Sequence, residues 1–597
     1  MASVLLSSDS LVDDFLAPGQ ACVNPLYSEP PKPAAVPRRR ARVTLQMEDD
    51  APAAVVASAP DLIRSAPATD AGGGEAKATL SLSDCLACSG CVTSAEAVLV
   101  TQQGRSQLVE AIARADKDIV VSLSPQAIAS FAAHFGTSME SAFGRLSTFL
   151  NAQGVGRVFQ TASATDFALL ETSAEFVRRC VAHAQEAGGR RGAQSPSSRK
   201  FYPPRARRFR ARAATPECDG GAAVATAGAV LPMLTSACPG WICYAEKTSP
   251  YVLPHVSTSK SAQQVMGTLV KFLHGEEPSR LYHVTVMPCF DKKLEASRQD
   301  FFHTDANAHE VDLVLSTAEM LEWINESGSA GMAASVQDDQ GGAVMRADDD
   351  AARGDSRTGS PSFMALSESP RLDPPGSLEH ALSGLADDGT SLMSVSSMGG
   401  SGGFLEHTFR HAAMELFGED LSTSPLPYRR GRNADFAEVA LERDVNGHRE
   451  VLLRFALVYG FRNIQTIVNK IKRGKCPYDF IEIMACPSGC VNGGGQIKDP
   501  GESPAASRAR VARTNDIFHA RTVRHPHDSP LVHETYRCAR AQRASPVLTA
   551  AAVRERALPL PHAHRAHLGT VPGSAQALAA LHTSYHEVPK LGSSHRW

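Results

Sequence analysis

The sequence predicts an α/β fold in two lobes with parallel, buried sheets, on three observations. The first is alternation: DIVVSLS (118–124) precedes PQAIASFAAHFG (125–136), VGRVFQTA (155–162) precedes SATDFALLETSAEFVRRCVAHAQ (163–185), AVLPMLTSA (229–237) and YHVTVMP (282–288) follow, and VDLVLST (311–317) precedes AEMLEWINE (318–326). Strands buried on both faces need such continuous Val, Ile and Leu runs, and helices between them supply parallel crossovers. The second is size: 597 residues with 43% hydrophobic side chains can fill more than one core. The third is the change of composition between blocks, which separates folded segments from stretches without apolar periodicity.

Taken in order, residues 1–78 are rich in Ala, Pro, Ser and Asp and read as mostly disordered. A small cysteine-bearing module occupies 79–112, and the first lobe runs over 113–325. Residues 186–222 within it, and 326–400 after it, are rich in Gly, Ser, Arg and Asp and read as disordered insertions. The second lobe, 401–500, runs from GGFLEHTFRHAAMELFG (402–418) through HREVLLRFALVYGFRNIQTIVNKIKRG (448–474). Residues 501–597 form a C-terminal wrap and tail, unusually rich in Arg, His and Ala.

No N-terminal apolar signal and no apolar run of about 18 residues appears, so neither secretion nor membrane spanning is expected. The 13 cysteines then belong to a reducing compartment and read as metal ligands before disulfides. The densest motif is MACPSGCVNGGGQ (484–496), in which Cys486 and Cys490 lie between the strand-like FIEI and the glycines Gly493, Gly494 and Gly495. Thiolates bind iron–sulfur clusters, and glycines let backbone N–H groups approach the sulfurs. Cys238 in TSACPGW and Cys289 in VMPCFDKKLEAS each end an apolar run, completing a set of four. A buried cysteine is otherwise a small hydrophobe. That reading, or a loop thiol, is preferred for Cys180, Cys218, Cys243, Cys476 and Cys538, with Cys243 on the opening turns of a helix and directed into the core.

Cys85, Cys88 and Cys91 have the C-x2-C-x2-C spacing that holds three corners of a [4Fe–4S] cubane. The zinc alternative usually needs two separated C-x2-C pairs. No downstream cysteine supplies a fourth ligand before Cys180, whereas PGQACVNPLY offers Cys22 upstream.

These segments, in this order, resemble the H-cluster domain of iron-only hydrogenases. They resemble more closely its non-hydrogenase relatives, the cytosolic iron–sulfur assembly factors also called nuclear prelamin A recognition factor-like proteins. The closer likeness rests on DCLACSGCVTSAEAVLV (84–100), SACPGWICYAEKTSPYVLPHVSTSKSAQQVMGTLVK (236–271) and LHTSYHEVPK (581–590). It implies a two-lobed hydrogenase-like domain behind a small ferredoxin-like module, two [4Fe–4S] clusters with the buried one at the lobe junction, and Cys22 as fourth ligand of the N-terminal one.

The same likeness bears on activity. In similar hydrogenases the residue before the first ligand is a proton-relaying cysteine; here it is Ala237, whose methyl group exchanges no proton. Lys292 and Lys293 match the basic pair that contacts the di-iron ligands and equally suit the negative charge of a cubane; the bland reading is a solvated helix N-terminus. GGFLEH (402–407), with bulky Phe404 and Leu405 in the loop that covers the di-iron unit, suggests a filled pocket. The implied role is a non-catalytic carrier or adaptor between the early cluster scaffold and the late targeting complex, whose partner subunit is a WD40 β-propeller. A hydrogen-evolving, ferredoxin-linked enzyme is the alternative, and a nuclear prelamin-tail binding module a third. The implied compartment is the cytoplasm, with the nucleus as a second place.

Near-zero charge, 60 basic against 63 acidic side chains, gives no overall field for nucleic acid. PRRRAR (37–42) and RKFYPPRARRFRAR (199–212) read as solvated arginine runs before import or polyanion patches. The terminal Trp597 combines a large apolar side chain with a carboxylate, as a docking anchor would. Members of the resembling family also end in an aromatic.

Overall fold

The computed structural model describes residues 4–6, 78–80, 100, 102–189, 230–273, 277–337, 392–394, 400–422, 424–431, 433–445, 448–536 and 572–587. Residues 1–94 and 95–597 are two compact units. In the first, β1 (Val4–Leu6) pairs antiparallel with β2 (Ala78–Leu80), Val4 opposite Leu80. The readings of Cys22, Cys85, Cys88, Cys91, Cys218, Cys538, Trp597 and both arginine runs lie outside the described residues.

The second unit carries two main sheets. In one, β4 (Arg157–Gln160), β3 (Asp118–Leu123), β6 (Leu281–Met287) and β9 (Leu313–Ser316) lie in that order, all parallel. Its central β3 is buried from Ile119 to Leu123, which explains the continuous apolar run. Helix α1 (Arg105–Arg114) precedes β3, and α2 (Pro125–Phe135) and α3 (Met139–Ala152) follow it. Ser124 caps α2 by accepting the Ala127 N–H at 3.2 Å, Pro125 takes the position where no N–H is needed, and left-handed Gly136 ends it. Phe131, Phe143, Leu146 and Trp323 fill the core against this sheet.

The other sheet is mixed. Its order is β11 (Arg429–Arg430), β12 (Phe436–Val445), β13 (His448–Tyr459), β14 (Phe480–Met484) and β5 (Met233–Thr235). The first three strands are antiparallel, and β13, β14 and β5 are parallel. Parallel strands were expected here, and the β12–β13 hairpin was not; Asn446-Gly447 between them is the turn dipeptide that signals it. Strand β5, expected among first-lobe strands, pairs with β14 of the second sheet instead. A three-residue strand carries too little periodicity to choose its sheet.

Helix α4 (Ala162–Gly189) leaves the first sheet and packs on the second, where Phe176 meets Phe455 and Phe480 edge-on at 5.0 and 5.5 Å. Helices α5 (Pro239–Thr248) and α6 (Ala262–Gly267) follow β5, α7 (Asp291–Ala296) follows β6, and a two-residue pair, β7 (Phe302–His303) with β8 (Ala308–His309), precedes β9. Helix α8 (Thr317–Gln337) extends into the stretch expected to be disordered, and β10 (Leu392–Ser394) near its other end pairs in parallel with β15 (Thr522–Arg524). Helices α9 (Phe404–Ala412) and α10 (Phe461–Lys472) serve the second sheet, and α11 (Pro504–His519), α12 (Pro530–Thr535) and α13 (Ala575–Leu581) build the C-terminal wrap.

Candidate metal centre

Parallel strands end on the same edge, which is how the second sheet collects thiols. Cys238 stands three residues past β5 and begins α5, while Cys486 follows the adjacent β14 by two residues and Cys490 opens the short turn Cys490–Asn492. Cys289 comes from the first sheet, two residues past β6. The loop after β14 brings the edges together: the Gly495 N–H donates to the Pro288 carbonyl at 2.9 Å, and the Gln496 amide donates to the Gln126 carbonyl at 2.9 Å. A Cβ on Gly493 would strike Pro288, and one on Gly495 would lie 3.3 Å from the Cys289 Cα. Gly493 and Gly495 thus permit a close crossing of main chains, whereas Gly494 meets only the Phe290 ring at 3.9 Å. The crossing is between loops, so spacing alone pointed to approach toward sulfur rather than toward Pro288.

Cys238 is buried, and Cys289, Cys486 and Cys490 are half-buried. Burial raises all four thiols, that of Cys238 to about 12, and neighbouring thiols raise three of them further: Cys238 feels Cys490, Cys486 feels Cys238 and Cys490, and Cys289 feels Asp291 and then the other three. Such a crowd of desolvated thiols is a poor place for thiolate unless cationic iron neutralises it. Among the described residues no three Cys, His, Asp or Glu side chains are close enough to hold a single metal ion. A cubane is larger than an ion and takes its thiolates further apart, so the donor set, arriving from three loops, fits a cluster.

Small polar groups fix the loops. The Cys238 N–H donates to Ser236 Oγ at 3.1 Å, and the Cys490 N–H to Ser401 Oγ at 3.0 Å. Asp291 is half-buried and raised to about 6 by desolvation, with Lys292 opposing. Glu482, inside β14, accepts the Leu405 N–H and the Tyr459 hydroxyl, both at 2.8 Å, and burial raises its carboxyl. Asp291, Ser401 and Glu482 were not singled out from sequence. Glu482 had a signal, a lone acid in the apolar run FIEIM; Ser401, far from the ligands in sequence, had none.

The lysines are not solvated. Lys292 pairs with Glu295 at 2.8 Å, donates to Ser261 Oγ at 3.0 Å, and lowers the Cys490 thiol. Lys293 turns away to Glu319 at 2.6 Å and the Gln103 carbonyl at 2.7 Å. Phe404 and Leu405 are buried on the first turn of α9. Cys180 is fully buried, as a small hydrophobe would be. Cys243 differs from expectation: it is half-buried rather than enclosed in the core, and it lines a cavity of about 320 Å³ with Glu246 and Lys247 of α5 and Leu294 of α7.

Residues 117–190 and 217–494 match the family described as the iron only hydrogenase large subunit, C-terminal domain. The chain is 37% identical over 594 residues to a cytosolic Fe-S cluster assembly factor of Xenopus tropicalis, covering 98% of this chain and 96% of that one. It is equally 37% identical over 600 residues to cytosolic iron-sulfur assembly component 3 of Rattus norvegicus, covering 98% and 97%. Among solved structures, an apo [FeFe]-hydrogenase of Chlamydomonas reinhardtii has TM-score 0.52 and 22% identity, covering 81% of this chain and 98% of that one; it shares the fold. With the hydrogenase-like fold and near-full-length likeness to these relatives, the chain belongs to the iron-only-hydrogenase-like family of cytosolic iron–sulfur cluster assembly factors.

Proposed function

We propose that this protein is a non-catalytic component of cytosolic iron–sulfur protein assembly, binding two [4Fe–4S] clusters and linking the early scaffold to the late targeting complex. Cys238, Cys289, Cys486 and Cys490 hold the buried cluster, and Cys22, Cys85, Cys88 and Cys91 the N-terminal one. The observation that carries the reading is the convergence of four electrostatically coupled thiols from loops of both sheets. Lys292, whose charge reaches Cys490, offsets part of the cluster's negative charge, and the Gly493–Gly495 crossing holds the loops at their spacing. A bound cluster supplies iron to the thiolates and an electron-transfer couple. Ala237, next to Cys238, has no proton to pass, which supports an assembly role over hydrogen chemistry.

The protein acts in the cytoplasm, and the nucleus is a second site of the same pathway. No described helix is long and apolar enough to cross a membrane. Trp597 is the anchor for the WD40 adaptor of the targeting complex. Anaerobic iron and sulfide analysis with electron paramagnetic resonance tests the core of the reading: roughly eight iron atoms per chain and two cubane signals are expected. One cluster in fully loaded protein removes one ligand set. Deleting Trp597 should leave both clusters intact and weaken adaptor binding about tenfold, about 1.4 kcal/mol; unchanged affinity in a calorimetric titration removes the tail from the mechanism.

A further inference from the structure

The cavity lined by Cys243 is walled by two parts of the chain far apart in sequence. Its lining includes Ala237 and Pro239, the two neighbours of Cys238, and Thr583, Tyr585 and His586 from the C-terminal segment. The C-terminal wall is fastened unequally. At its inner end His582 bonds Thr258 Oγ1 at 2.7 Å through Nδ1 and Glu171 at 3.0 Å through Nε2, and the Thr583 N–H donates to the Thr258 carbonyl at 2.8 Å. Glu171 is fully buried on α4 and also takes the Tyr536 hydroxyl at 2.6 Å and the Gly573 N–H at 2.9 Å, so one carboxylate gathers three parts of the wrap. At its outer end the ties are long: the His586 N–H to Glu246 at 3.3 Å, the His586 ring to Asp300 at 3.6 Å, and the Tyr585 ring 6.0 Å from Arg298. Ser584, His586 and Glu587 are exposed.

We propose that residues 583–586 are a strap, hinged at the Glu171–His582 contact, that closes the cavity beside Cys238 and sets how fast small reagents and oxidants reach the cluster there. The part concerning the cluster rests on the proposed function; the strap itself does not. Short, part-buried bonds at one end and long ties to an exposed His586 at the other make the outer half the segment that opens at least cost. Opening widens access to the partly covered Cys243 and to the turn carrying Cys238 without disturbing the core held by Glu171.

The test uses full-length anaerobic protein and two variants, Tyr585→Ala combined with His586→Ala, which frees the outer end, and His582→Ala, which loosens the hinge. Alkylation of Cys243 by iodoacetamide, mapped by mass spectrometry, reads the strap, with fully buried Cys180 as the internal control. Bleaching of cluster absorbance by an iron chelator reads the route to the cluster. Both rates should rise about fivefold in each variant while Cys180 labelling stays constant. Unchanged Cys243 labelling, or Cys180 accelerating by the same factor, overturns the strap. Faster Cys243 labelling with unchanged bleaching overturns the route. Iron-free protein that still shows the labelling change upholds the strap while rejecting the cluster reading.

Discussion

The two sheets of the C-terminal unit are built alike in part and loaded differently. The four-stranded sheet is parallel throughout and contributes a single thiol, Cys289, whereas the five-stranded sheet is parallel only over β13, β14 and β5, and that parallel half contributes Cys238, Cys486 and Cys490. Parallel strands deliver their C-terminal loops to one edge, so the thiols gather where the strands agree in direction. The antiparallel β12–β13 hairpin adds width and covering surface instead. Helix α4 joins the two sheets, with Asp166, Glu171, Glu175 and Arg179 all buried along it and each engaged by a distant segment or neighbour.

The largest expected effect follows from this unequal loading. Cys486→Ala and Cys289→Ala should each release about half the iron and destabilise the C-terminal unit by more than about 3 kcal/mol, roughly 4 °C in melting temperature for a unit of this size. Cys22→Ala or Cys88→Ala should release as much iron and leave that melting transition in place. Equal melting temperatures for all four variants would break the assignment of the buried centre to the junction between sheets.

A second experiment compares the cores. Phe455, buried in the second sheet and stacked 4.8 Å from Phe480, and Leu123, buried in the first, are each fully enclosed. Phe455→Ala should cost about 3–5 kcal/mol and Leu123→Ala about 2–5 kcal/mol. Because α4 ties the sheets together, each loss should shift one shared denaturant transition. Two transitions moving separately would show that the sheets unfold as independent bodies.

The wrap gives a smaller, pH-dependent effect. His407 and His411 on α9 face His525 of the wrap, with ring centroids of His407 and His525 at 5.5 Å. Both imidazoles lie below their ordinary value, first through burial and then through neighbouring histidines, His411 at about 4. They stay neutral in the fold while the unfolded chain takes up protons below pH 6.5. Stability therefore falls as pH drops, by up to about 1.4 kcal/mol per unit for each histidine, and the His411 share levels off near pH 4. Urea denaturation at pH 7.5, 6 and 5 should show a flatter decline in His411→Asn. Parallel lines for the variant and the parent would remove His411 as a source of the acid sensitivity.

The smallest effect belongs to the rim of the second sheet. Arg443 and Glu419 pair at 2.6 Å with both side chains about two-fifths exposed. Glu419→Ala should change stability by less than about 1 kcal/mol. A larger loss in a denaturant titration would mean that this edge of the hairpin supports the sheet more than its exposure implies.

Much of this was legible in the chain. Buried strands such as DIVVSLS and YHVTVMP announced themselves because a strand covered on both faces must be apolar at every position, and the cysteine motifs stood out because thiols beside tight turns have few other uses. What the tertiary structure decided were the long-range choices. Met233–Thr235 joins β14 because only the assembled sheet offers that edge, and Lys293 turns to Glu319 because a buried ammonium must take the carboxylate within reach. Cys243 lines a cavity because α5, α7 and the C-terminal segment 583–586 meet around it. Periodicity records how much of a residue is covered, whereas the identity of what covers it depends on segments hundreds of positions away, such as Glu171 holding Tyr536, Gly573 and His582.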